Sequence, residues 1–128
     1  MNNFDFPVFV KLRDCGDVRS YHSVAEMQRN FEEIDVENGE YEAWDAKATP
    51  LKLSVQKQAA WLVVEPAGKP QPELLANAIA EFARIQNVQV DTSRLHHGDF
   101  SNVLERTAVA IREKRQAEHW SQKLRRHF

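Results

Sequence analysis

Between Glu32 and Asp45 the chain sets seven carboxylates, Glu32, Glu33, Asp35, Glu37, Glu40, Glu42 and Asp45, with no basic residue among them. Such a run has three chemical uses: drawing in a cationic protein surface over distance, gathering oxygen ligands around calcium, or supplying an acid and a base. The calcium geometry does not follow. Asp35-Val36-Glu37-Asn38-Gly39 puts its glycine at the fifth loop position instead of the sixth, and the acidic residue that closes such a loop is missing. The plain alternative is a solvated ribbon of carboxylates that discourages pairing between sheet edges. Tyr41 and Trp44 interleave with the acids, and aromatic anchors carry much of the energy of protein interfaces. Tyr41, Glu42, Trp44 and Asp45 are therefore candidate partner-binding residues.

His96-His97-Gly98-Asp99 is the one local cluster with metal-ligand atoms. Adjacent histidines point apart on a helix or strand, and no HExxH pair accompanies them, so a polar turn explains the cluster better. The single cysteine, Cys15, permits no intrachain disulfide and no Cys-based zinc site. Asp14 and Asp17 beside it oppose thiolate formation. The four glycines, at 16, 39, 68 and 98, are too dispersed for a phosphate-binding loop, and no strained nucleophile turn is present. The sequence thus assigns no catalytic residue, no metal ligand and no cofactor, and the balance lies toward a non-enzyme.

The C-terminal segment carries a different signal. Counting about 100° per residue from Leu104, Ala108 falls at about 40° and Ile111 at about 340°, one stripe suited to docking on a sheet or helix. Trp120, Leu124 and Phe128 fall at about 160°, 200° and 240°, on the opposite side. From Arg112 onward stand six Lys and Arg residues and two glutamates. This basic amphipathic tail must break away near 113–118, or pack on something other than what Leu104 packs on. Trp120, Leu124 and Phe128 complete the candidate partner-binding set.

The elements that position these residues follow from periodicity. Alternation from Phe6 to Arg13, turn chemistry at Asp14-Cys15-Gly16-Asp17 and a return at Val18 to Tyr21 predict a hairpin. Ser23-Val24-Ala25-Glu26 matches a capping box opening a short helix with Val24, Met27 and Phe31 on one edge. Asn38-Gly39 reads as a hairpin turn between two strands, and Leu51, Leu53 and Val55 alternate again after a turn at 47–50. Trp61 to Val64 reads as a strand buried on both faces. Three of the five prolines lie in 66–72, which makes that stretch a connector. Leu75, Ala78, Ile79, Phe82 and Ile85 then predict a helix over 73–86 with Pro72 at its first position. Ser101 or Asp99 caps a last helix running to about Arg126.

The fold expectation is therefore α+β: a mainly antiparallel sheet of four to six strands within residues 6–65 with one short helix, followed by two C-terminal helices. At 128 residues and 42% hydrophobic, the chain is sized for one domain, with a sheet-forming part at 1–65, a connector at 66–72 and a helical part at 73–128. The formal charge of −2 supplies no field that would announce nucleic acid or a membrane surface, although residues 1–60 carry −4 and residues 61–128 carry +2. The opening residues lack a signal-peptide pattern and no apolar run is long enough to span a bilayer, so the expected location is cytoplasmic. The functional expectation is a non-enzymatic protein-interaction module that forms a homodimer or small homo-oligomer, or meets another protein, through the acidic ribbon or the tail. The alternative is a small-molecule-binding domain or minor hydrolase with its pocket between the sheet and the helix over 73–86.

Overall fold

The computed structural model describes residues 3–126. In chain order it contains β1 (Val8–Leu12), β2 (Val18–Tyr21), α1 (Val24–Asn30), α2 (Glu33–Glu37), β3 (Tyr41–Trp44), β4 (Pro50–Val55), β5 (Leu62–Pro66), α3 (Pro72–Ile85), a 3₁₀ turn (Ser93–His97) and α4 (Phe100–Arg126). The strands form one antiparallel sheet in the order β2-β1-β3-β4-β5, and the architecture is α+β.

Helices cover the sheet on both faces, because its central strands bury both sides. Val8 and Val10 of β1 join Ala43, Leu51 and Leu62 beneath Met27, Phe31 and Val36 of the α1–α2 side. Phe9, between those valines, points the other way and joins Val18 and Trp44 beneath Leu75, Ile79 and Phe82 of α3 and Phe100, Val103 and Leu104 of α4. Period-2 alternation in β1 therefore separates two cores instead of a core from solvent. The strand expected to be buried on both faces, at Trp61–Val64, is instead the edge strand β5, where only Leu62 is buried. Its apolar run packs inward at Leu62 and leaves Val63 and Val64 half-buried.

Local chemistry explains most of the boundaries. The Ser23 hydroxyl accepts the Glu26 amide, and the Glu26 carboxylate accepts the His22 amide, so α1 begins at the capping box. The Asn38-Gly39 pair corrects the hairpin expectation: it ends α2. Gly39 takes a left-handed φ of 68°, its amide donates to Val36 O, and the Glu40 amide donates to Asp35 O. These are the paired bonds of a Schellman cap, which uses the same positive-φ tolerance that a tight hairpin turn needs. Asn87 ends α3 in the same way, with φ 54° and a Val88 amide donating to Ala83 O. Asn87–Val90 consequently forms no strand.

Asp45 anchors the β3–β4 turn. Oδ1 accepts the amides of Lys47 and Thr49, Oδ2 accepts the amide of Asp5, and the side chain is only 3% exposed. Ala48 lies in that turn with a φ of 63°, fully buried, and its carbonyl accepts the Gln71 amide at the start of α3. Replacing Asp45→Ala leaves three amide donors without their acceptor and should lower the unfolding free energy by about 3 kcal/mol. Urea unfolding followed by tryptophan fluorescence checks this, and a loss below about 1 kcal/mol would contradict the role given to Asp45.

Candidate functional site

The helix α4 is 27 residues long, about 40 Å, and only its first half lies on the body. Phe100, Val103, Leu104 and Thr107 are buried, and Ile111 packs at the edge of the same core. The Thr107 hydroxyl, enclosed in that contact, donates to Val103 O and so brings no unpaired polar group into the core. Lys114 is the last tether. Its ammonium lies 3.1 Å from Gln86 O and 3.4 Å from Asn87 O, capping the carbonyls at the C-terminal end of α3, where positive charge is favoured. From Arg115 to Arg125 every residue is exposed and the helix runs on without a break.

The change of apolar face anticipated from the spacing is thus resolved by projection: the helix continues unbroken with its second apolar face exposed. Trp120 is 61% exposed and Leu124 56% exposed, on the side away from the docked stripe. Lys123 sits 5.3 Å from the Trp120 ring centroid, a cation–π contact within the tail. Phe128 lies outside the described residues.

The acidic ribbon is rearranged more deeply. Trp44 is only 2% exposed, fixed in the core beneath α3, and Asp45 is committed to its turn, so neither offers a side chain to a partner. Tyr41 stacks on Phe31 with ring centroids 4.3 Å apart, and its hydroxyl lies 3.5 Å from Asp35 Oδ2. Glu42 points to the opposite face of β3 from Tyr41 and pairs across strands with Lys11. These four residues therefore do not share one surface. The spacing predicts strands on both sides of Asn38-Gly39, whereas Glu33, Asp35 and Glu37 belong to α2, where Glu33 and Asp35 stand in the first turn and suit the helix dipole. That helix also presents Ile34, 61% exposed and flanked by exposed Glu33 and Glu37. A large apolar residue amid carboxylates is the sequence signal of this patch.

A cleft of about 700 Å³ opens between β2, the end of α3 and the middle of α4. Phe82 and Gln86 at the C-terminal end of α3 line it, with α4 as its far wall. His96 and His97 are exposed in the 3₁₀ turn, Asp99 lies 3.6 Å from Arg94, and no group of three metal-ligating side chains gathers among the described residues. For Cys15 an amide bond from Asp17 favours the thiolate, but partial burial and the Asp17 and Asp14 carboxylates outweigh it and hold the thiol above its ordinary value. No described helix is long and apolar enough to cross a membrane. No protein-family model, curated protein or solved structure matches the chain.

Burial raises the phenol pKa of both tyrosines above 10.0; for Tyr41 an amide bond from Glu32 partly opposes this, and the nearby Asp35 and Glu32 carboxylates reinforce it. A raised folded-state value favours the neutral phenol, so this contribution to stability is complete below pH 10 and is lost as pH climbs through the folded-state values. Absorbance titration at about 295 nm should give a tyrosinate midpoint above 10.0 in the folded protein and an ordinary one in denaturant. Coincident midpoints would contradict the packing described for Tyr21 and Tyr41.

Proposed function

We propose that the chain is a protein-interaction module that self-associates through the projecting end of α4. The observation that carries this reading is the pair Trp120 and Leu124, held on an unbroken helix about two to three turns beyond its last tether at Lys114. Two large apolar side chains on a helix end that covers nothing of its own domain are the pattern of a helix that docks in a partner's groove.

Charge selects the surface that receives it. The tail carries Arg115, Lys123 and Arg125, so two tails laid side by side would repel. The α2 surface has the complementary make-up, with exposed Ile34 among Glu32, Glu33 and Glu37. A tail from one copy set on α2 of another pairs apolar with apolar and basic with acidic, and reciprocal exchange closes a two-fold dimer. Of the ribbon residues, Tyr41 contributes by bracing Asp35 beneath this surface, while Trp44 and Asp45 act through the fold.

Light scattering after size exclusion tests this directly. The full chain should run at about twice its 14.8 kDa, and a chain ending at Gln116 should run as a monomer. Trp120→Ala with Leu124→Ala should weaken the dimer at least tenfold, about 1.4 kcal/mol or more, and rising salt should weaken it further. A full-length monomer at the highest attainable concentration would overturn the reading.

A further inference from the structure

The edge strand β2 leaves one side of its main chain open. The Leu12 amide donates to Asp17 O, and the register pairs Val10 with Arg19 and Val8 with Tyr21. In an antiparallel ladder hydrogen-bonded pairs alternate with non-bonded ones, so Arg19 and Tyr21 turn their main-chain groups toward β1. Val18 and Ser20 turn theirs outward, and among the described residues nothing bonds to them. The opposite edge is treated differently: the Gln28 side chain accepts the Leu62 amide of β5 and donates to Ala59 O.

The cleft runs along that open edge. Its inner wall is apolar, built from Val18, Phe82, Leu104 and Ile111, and its outer parts carry Arg19, Arg112 and Arg115. Among the described residues no ion pair engages these three arginines. Asp17 and Glu105 also line the cleft, two carboxylates against three guanidinium groups, so its net charge is positive. A small anion would use the arginines and leave the row of main-chain groups unpaired. The basic tail of a second copy would meet like charge.

We infer that this cleft binds an extended acidic peptide segment, which adds to the sheet as a strand beside β2. The peptide backbone pairs with Val18 and Ser20, alternate apolar side chains enter against Phe82 and Leu104, and flanking carboxylates meet Arg19, Arg112 and Arg115. Backbone pairing supplies the affinity, while the apolar wall and the arginines set which sequences are accepted.

The test uses the full chain and a fluorescein-labelled octapeptide of alternating Glu and Val, read by fluorescence anisotropy. The peptide should bind saturably, and methylating the amides that face β2 should weaken it at least about tenfold, since each removes a donor and adds bulk at the edge. Arg112→Glu with Arg115→Glu should weaken the unmodified peptide by a similar factor while the melting temperature stays near that of the parent. No binding of the unmodified peptide would overturn the inference. So would binding that survives amide methylation, which is how simple attraction to the basic tail would behave. The methylated peptide alters only the ligand, so the inference remains falsifiable even if the double variant does not fold.

Discussion

The structure depends on how one sheet face is closed. Phe9, Val18 and Trp44 must be covered, and the cover consists of α3 and the first half of α4. A helix turns about 100° per residue, so a straight α4 keeps only those residues that recur on its docked side in contact. Phe100, Val103, Leu104, Thr107 and Ile111 do so, whereas Trp120 and Leu124 do not. The tight seat of the first half thereby dictates the exposure of the second. An isolated helix of that length would be marginal in water, but here the nucleus is supplied by the docked turns and further residues only propagate it.

Covering both faces also decides what happens at the edges. With α1 and α2 on one side and α3 and α4 on the other, β1 is buried on both faces and the two outer strands take the exposed positions. Gln28 reaches from α1 to occupy main-chain groups at and just before β5, and Pro66 ends that strand. At β2, the helix that closes the core stands off far enough to leave a cleft, and the main-chain groups of Val18 and Ser20 remain available there. Gly16 fixes the turn leading into this strand: its φ of 76° is a backbone conformation that L side chains rarely adopt, and a Cβ there would also have to displace the Ile85 Cδ1 methyl group.

Much of this was legible from spacing. Alternation located β1, β2 and β4, the Ser23 cap located α1, and Pro72 with its apolar periodicity located α3 almost to the residue. The displaced stripe in α4 was legible too, because helical angles are local arithmetic. What local reading missed was set by contacts across the chain or by motifs with two uses. Asn38-Gly39 serves a helix cap as readily as a hairpin, and only the bonds to Asp35 and Val36 decide between them. Trp44 looked like an anchor among carboxylates, but its burial depends on where α3 returns to the sheet, some thirty residues later in the chain. The cleft beside β2 joins residues from positions 17 to 115, a juxtaposition that no window of sequence displays.

Amide hydrogen exchange along α4, measured over a wide range of protein concentration, tests the central claim most directly. Residues 100–111 should be protected at every concentration, whereas the amides of 116–126 should exchange rapidly when dilute and become protected as concentration rises, since only a partner can cover them. Rapid exchange of the tail at all concentrations would contradict self-association through this helix. Protection of 116–126 on dilution as high as that of residues 100–111 would contradict the projecting geometry itself.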